Sequence, residues 1–356
     1  MTRRRPLAIL LLSVSFGGWL LAQESARLPD RLNDQDFWRL TVDLSEPNGT
    51  FRSDNLLSNE IRYPDVLDGL IARTRNGGVY MGVGPEQNFH YLAAIRPKMA
   101  FIVDIRRGNL QLHLMYKALF ELSSDRADFI SRLFTKKRPD GLNSKSSADD
   151  LMNAYWDPNL KTGDEAAYRA NLQAIQDVLV KKHGFPLSAD DLSGIEYVYY
   201  WFYWYGPSIN YSSSSTGNSG AFAGRSPTNY ADLMLATDSF GRVRSYLGTE
   251  ESFAYIKELE HRNLIVPVVG NFAGPKAVRA IGKYIRDHGS TVAAFYLSNV
   301  EQYLQQDSIW PTFCANVATL PLTDLSTFIR SRNGMGLGNM AEEVRGCAAP
   351  VARAWR

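Results

Sequence analysis

The chain has 356 residues, 45% of them hydrophobic and 21% charged, the balance of an ordinary globular protein able to bury a core. A net charge of +2, with no long basic or acidic run, argues against nucleic acid or another polyanion as partner. Five histidines without paired spacing and two cysteines without a CxxC partner give no support to a metal centre.

Arg3, Arg4 and Arg5 precede an apolar stretch from Pro6 to Ala22, and the chain turns polar at Gln23. That order predicts a secretory signal peptide over residues 1–22. The competing reading is an uncleaved anchor, for which the run is short and interrupted by Gly17 and Gly18. Leu20 stands where cleavage favours a small residue, so removal of the segment stays open. Export would put the protein in the periplasm or at a bacterial cell surface, with no stable membrane span once the segment is removed. In such an oxidising compartment Cys314 and Cys347 either form one disulfide or remain two thiols.

Residues 23–60 read as an extended lead-in, with Phe37 and Trp38 near its start and a turn over 45–49. The polar run from Ser53 to Glu60 has two readings. Ser53 or Asp54 caps a following helix, or the run is a loop over a ligand pocket, with Asp54 and Asn55 facing it.

Val79 to Met81 is a short buried strand, broken by Gly82-Val83-Gly84-Pro85. A helix then opens at Pro85 with Phe89, Leu92 and Ala93 on its apolar face, and Pro97 ends it. Ala100 to Val103 is a second strand, closing on Asp104, and Leu110, Leu114 and Ala118 mark another amphipathic helix. Residues 123–190 hold polar linkers, an exposed loop over 136–148 and a helix from about Asp164 to Lys182. The aromatic block Tyr197 to Tyr205 reads as core or a packed strand rather than a ligand-stacking platform, and Ser212 to Ser215 as a flexible loop. Residues from about 123 to 230 are thus an insertion, helical and aromatic, in a single domain over 23–345 with a tail over 346–356. Regular structure returns over 231–238. Helices over 250–261 and 275–288 then alternate with strands over 264–269 and 291–297. This alternation predicts a Rossmann-like α/β fold with a doubly wound, mostly parallel sheet.

The chemistry-bearing feature is the order strand, Gly-x-Gly turn, helix, strand, acid. Gly82 and Gly84 would let a ligand approach the backbone, and the helix mouth offers unpaired N–H groups. Asp104, 20 positions after Gly84, would accept hydrogen bonds from ribose hydroxyls. The ligand implied is a small nucleoside-type molecule. Gln87 replaces the third glycine of the dinucleotide fingerprint and Glu86 follows Pro85, a carboxylate that would repel a pyrophosphate and suit a positive or neutral group. Asn271, Ser298, Asn299 and Glu301 sit just beyond predicted strands, where open α/β sheets bind ligands. Asp238 could face the same crevice. For all five, turn and capping chemistry is the plainer reading. Neither a G-x-S-x-G turn nor a Ser-His-Asp order is present, so a hydrolase reading lacks a nucleophile.

Tyr80-Met81-Gly82-Val83-Gly84 and Val103-Asp104-Ile105 resemble motif I and the following acidic strand tip of class I S-adenosylmethionine-dependent methyltransferases. Five wider stretches, over 53–60, 84–88, 101–106, 268–275 and 295–301, resemble an uncharacterised family of bacterial exported proteins with a methyltransferase-like fold, which includes leptospiral surface lipoproteins. The likeness runs from about Phe37 to Arg330. It implies a class I methyltransferase-like fold and S-adenosylmethionine as candidate cofactor at Gly82, Gly84, Glu86 and Asp104, with no metal. It carries no established reaction. The chain lacks the Asn-Pro-Pro-Tyr motif of amino-methylating members, and an exported protein meets little of that cofactor. The expected role is therefore a binding or surface-interaction protein, with an envelope protein as candidate partner. The alternative is a methyltransferase acting on a small molecule or envelope component.

Overall fold

The computed structural model describes residues 27–156, 163–214, 228–331 and 334–348; the expected signal peptide, Ser215 and the end of the tail lie outside them. Six strands form one sheet: β1 (Val79–Gly82), β2 (Met99–Asp104), β3 (Ile265–Val269), β4 (Val292–Ser298), β5 (Thr327–Ser331) and β6 (Met335–Asn339). Their order is β3-β2-β1-β4-β5-β6, parallel throughout except for the β5–β6 pair. β1, β2 and β3 are buried along their whole length, which is why they read as continuous apolar runs rather than alternating ones. Strand order reverses between β1 and β4, so the crevice expected of such sheets lies at the carboxyl ends of these two strands.

Two helices precede the sheet, α1 (Asp34–Leu44) and α2 (Pro64–Arg73). α3 (Gln87–Ile95) joins β1 to β2, and α4 (Arg107–Leu122) follows β2. The long connection to β3 carries α5 (Arg126–Phe134), α6 (Ala148–Tyr155), α7 (Glu165–Gln176), α8 (Ala189–Tyr205), α9 (Tyr230–Leu235) and α10 (Glu250–His261). α7 runs on into a π-helical turn over Asp177–Lys182. α11 (Ala277–Asp287) leads to β4, α12 (Val300–Gln306) and α13 (Trp310–Val317) lead to β5, and α14 (Met340–Ala348) follows β6. Right-handed crossovers put α3 and α4 on one face and α11 on the other. Among the described residues no helix is long and apolar enough to cross a membrane.

Three expectations need correction. The lead-in is not extended. Asn33 caps α1 by accepting from the Asp36 N–H at 2.8 Å, and Phe37, Thr41 and Leu44 bury one helical stripe. Ser53 and Asp54 cap no helix, because α2 begins only at Pro64 and is preceded by Tyr63. The aromatic block puts one side into the core, as expected, but as a helix and not a packed strand. Ser188 and Asp191 close a capping box at the start of α8, which buries Ile195, Val198, Tyr199 and Phe202 on one side. Tyr197, Tyr200 and Trp204 remain exposed on the other. A nine-residue aromatic run fits a helix because i, i+4 rings stack along it, as Tyr200 does on Trp204 and Trp201 on Tyr205.

Cys314 and Cys347 form a disulfide that ties α13 to α14 across 33 residues of chain. Closing a loop of that length should contribute about 3–4 kcal/mol by restricting the unfolded chain. Urea unfolding of Cys347→Ser beside the unaltered protein measures this. Superimposable curves would show that the cross-link adds nothing.

Candidate functional site

The turn after β1 is held from inside. Asn88 Nδ2 donates to the carbonyls of Val83, Gly84 and Pro85 at 3.0, 3.1 and 2.7 Å, and the Tyr80 hydroxyl donates to Asn88 Oδ1 at 2.9 Å. A Cβ on Gly82 would fall 1.9 Å from Asn88 Oδ1, so this glycine makes room for the asparagine. Gly84 differs. It is buried, its φ is 75°, and a Cβ there would meet no atom within 4 Å. His113 Nε2 lies 2.9 Å from the Gly84 carbonyl. Burial pushes the His113 imidazole down to about 4, so it is neutral near pH 7. Nε2 therefore carries the proton, and Nδ1 is left as an acceptor.

Buried polar atoms without a hydrogen-bond partner occur on His113, which meets this turn, and on residues of the neighbouring segments. They are Gln87 Oε1, Asn109 Oδ1, His113 Nδ1, Asn55 Oδ1 and Arg106 Nε, the last lying 3.2 Å from Asp104 without good alignment. Asn109 and His113 share a face of α4, four residues apart. Each such atom costs about 1–3 kcal/mol while unpaired.

Residues 45–60 run across the carboxyl ends of the strands as a strap, in the spatial order β3, β2, β1, β4. Over β3, the Glu46 carboxylate accepts from the N–H groups of Asn271, Lys276 and Ala277 at 3.1, 2.8 and 2.8 Å, at the mouth of α11. Over β2, the Gly49 N–H donates to the Ile105 carbonyl at 2.8 Å, and Arg106 donates to the Asp54 carbonyl. Over β1, the Ser58 N–H donates to the Glu86 carboxylate at 3.1 Å. Over β4, the Glu60 carboxylate accepts from the hydroxyls of Tyr296 and Ser298, both at 2.5 Å.

The residues singled out by sequence divide accordingly. Asp104 stands at the tip of β2, 5% exposed, and its carboxylate already accepts the Arg106 N–H at 2.9 Å. Glu86 stands at the N-cap of α3, but its side chain does not cap the helix. It is wholly buried under Ser58, and burial pushes its carboxyl up to about 8, which leaves it largely protonated at neutral pH. Asp54 is exposed and accepts the Tyr197 hydroxyl at 2.7 Å, while Asn55 takes a left-handed φ of 46°. Asp238 closes its own turn and pairs with Arg242 and Arg244 at 2.7 and 2.8 Å, which bridge to Asp68 on α2. Asn271 Oδ1 accepts from Ala273 N–H at 2.9 Å, and buried Glu301 pairs with Arg330 at 3.0 Å. Asn299 is exposed ahead of α12. Gly84, Asp104, Asp54 and Asn55 thus surround the ends of β1 and β2, and Ser298 meets Glu60 at the end of β4. Asp238, Asn271 and Glu301 serve local networks.

Arg106, Asn109 and His113 were not anticipated. Their signal was the Asn-His pair four apart in the first turns of α4, which a reading of that helix for its apolar face passes over. Among the described residues no group of three or more His, Cys, Asp or Glu is placed to hold a metal ion.

A family model described as a domain of unknown function, DUF7790, matches residues 56–182 and 225–347. The matched segments contain Ser58, Glu60, Gly84, Asp104, Asn109, His113 and Ser298, and they omit α8. No curated protein matches.

Proposed function

The chain belongs to the DUF7790 family, and we propose that this member is an exported binding protein whose pocket, at the carboxyl ends of β1 and β2, takes a small nucleoside-type molecule. The observation that carries the reading is the open space in front of buried Gly84, whose carbonyl meets His113, together with the buried polar atoms that lack partners on His113 and the neighbouring segments. Four of those atoms, on Asn55, Gln87, Asn109 and His113, are acceptors. They call for a ligand rich in hydroxyl and amino donors, as a nucleoside is. Arg106 occupies the Asp104 carboxylate, so a ribose would share that acid with a guanidinium. The basic-then-apolar N-terminus and the Cys314–Cys347 disulfide support export to an oxidising compartment. An envelope protein is the partner this location suggests.

A second reading is an S-adenosylmethionine-dependent methyltransferase acting on a small molecule or envelope component. It is favoured by the strand order, with an acid at the tip of β2 next to the switch point, on which a methyltransferase-like fold would hold its cofactor.

Calorimetric titration of the chain lacking residues 1–22 with S-adenosylmethionine and S-adenosylhomocysteine tests both, beside Asp104→Ala and Asn109→Leu. Saturable binding is expected, at least tenfold weaker in each variant. Asn109→Leu should also gain about 1 kcal/mol of stability, because an apolar isostere replaces an unpaired buried acceptor. A well-folded protein that binds neither compound overturns the nucleoside reading. Methyl transfer to an added acceptor would move the assignment to the second reading.

A further inference from the structure

Ser298 is the last residue of β4, and α12 starts two residues later. Its φ is 50°, a left-handed conformation that costs a serine energy and that glycine would adopt freely. The β4–β5 register also slips between Tyr296 and Ser298, an irregularity of the kind found beside active sites. A sharp strand-to-helix turn with a strained serine at its apex presents the hydroxyl at the top of a sheet, as in the nucleophile elbow of α/β hydrolases. The sequence around it lacks the flanking glycines of that motif, so the pattern is visible only in the backbone.

The hydroxyl has a base beside it. Ser298 Oγ donates to Glu60 Oε1 at 2.5 Å, and Tyr296 donates to the other carboxylate oxygen at 2.5 Å. Glu60 is 7% exposed and Tyr296 2%, whereas Ser298 is only half-buried. Nucleophile, base and a third group fixing the base are the generalised triad of covalent catalysis.

We propose that Ser298, Glu60 and Tyr296 form an acyl-transfer centre acting on carboxylic esters, with Ser298 as nucleophile, Glu60 as general base and Tyr296 as positioning residue. It is separate from the nucleoside reading and does not depend on it. Ser298 Oγ adds to the ester carbonyl carbon as its proton passes to the Glu60 carboxylate. The tetrahedral intermediate collapses, the ester C–O bond breaks, and the leaving alcohol takes the proton from Glu60. Water then adds to the acyl-serine, its proton moving to Glu60 and on to Oγ as the carboxylic acid departs. The net reaction is ester plus water to acid plus alcohol. The amide following the nucleophile supplies one oxyanion donor in such turns, here that of Asn299. A carboxylate is ordinarily too weak a base for a serine. Burial pushes Glu60 up, only partly offset by hydrogen bonds from Ser298, Tyr296 and Ser331, which brings it closer to the working pH of a general base. Glu86, Tyr80 and Tyr91 also act on it electrostatically.

The test treats the chain lacking residues 1–22 with a fluorophosphonate, which forms an O–P bond to an activated serine with loss of fluoride, and locates the adduct by peptide mass. The expected result is one adduct on Ser298 together with hydrolysis of p-nitrophenyl acetate. Both should vanish in Ser298→Gly, in which relief of the left-handed backbone offsets part of the lost hydrogen bond to Glu60. Glu60→Gln should label about 100-fold more slowly. Tyr296→Phe removes a hydrogen bond that favours the Glu60 carboxylate, so the pH profile of labelling should move upward, which a merely structural tyrosine would not cause. Absence of an adduct at Ser298 under excess probe, or labelling of Glu60→Gln at the unaltered rate, overturns the proposal.

Discussion

Replacing Glu121 by alanine should destabilise the protein by about 3–5 kcal/mol, the cost of breaking a buried ion pair by removing one partner. Lys117 and Glu121 lie one turn apart on α4, each with a side chain 1% exposed, and pair at 2.8 Å. Lys182 and His183 close on the same carboxylate at 2.6 and 2.8 Å, and His183 reaches on to Asp34 at 2.7 Å. One carboxylate thus gathers α4, the π-helical turn and, through His183, the start of α1. Without it the Lys117 ammonium keeps the Glu260 carbonyl, the face of Phe37 and the nearby buried Glu260 carboxyl, which is raised to about 8 and so largely uncharged at neutral pH. Replacing both partners, as Lys117→Met with Glu121→Leu, should recover much of the loss, since no unpaired charge is then left inside. Equilibrium urea unfolding measures both. A loss below 1 kcal/mol for Glu121→Ala would show that water reaches the cluster. Burial alone would push the Glu121 carboxyl up, but the His183 hydrogen bond and the Lys117 charge outweigh it and hold the group well below the usual range. Its contribution is therefore present above the ordinary value near 4.5 and is lost as the pH falls below it.

Glu86 gives the opposite sign. With its carboxyl raised to about 8 from an ordinary value of 4.5, the folded state holds a proton that the unfolded chain releases. The stability linked to this proton is fully present below pH 4.5 and is lost as the pH rises toward 8. At pH 7 the accumulated loss is on the order of 3 kcal/mol. Glu86→Gln keeps a carbonyl oxygen for the Ser58 N–H and has nothing to titrate. It should be more stable than the unaltered protein at pH 7 by that order, and the difference should vanish near pH 4. Parallel stability curves for the two proteins between pH 4 and 8 would rule the account out.

Where burial alone decides, the sequence was a good guide. The strands at Val79, Ala100, Leu264 and Thr291 and the helices over 250–261 and 275–288 are where apolar periodicity puts them, to within two residues. The mostly parallel sheet followed from their alternation. The aromatic run of α8 misled because a strand and a buried helix segment look alike when every residue is large and apolar. Its capping box at Ser188 and Asp191 was the discriminating signal. The site was legible only in its backbone part. Gly84 and Asp104 stand at the strand tips as expected, but the partner of each polar group is remote in sequence. Glu86 reads as an exposed charge at a helix mouth until Ser58 covers it, and Ser298 as a turn residue until Glu60 arrives from 238 positions away. Local pattern carries no information about such pairings.

That same distance sets the order in which the molecule can assemble. The strap is synthesised before the elements it ties together, and its bonds reach Ala277 and Ser298, 231 and 238 residues further on. It has nothing to dock on until α11 and β4 exist. Contacts of such separation form late, because the closure entropy of the long loop must be met before they give anything back. The carboxyl edge of the sheet is therefore open while the rest of the domain folds, and it is sealed last by a segment made long before the elements it joins. In pulsed hydrogen exchange during refolding, the amides of Gly49 and Ser58 would gain protection after those of β1 and β2.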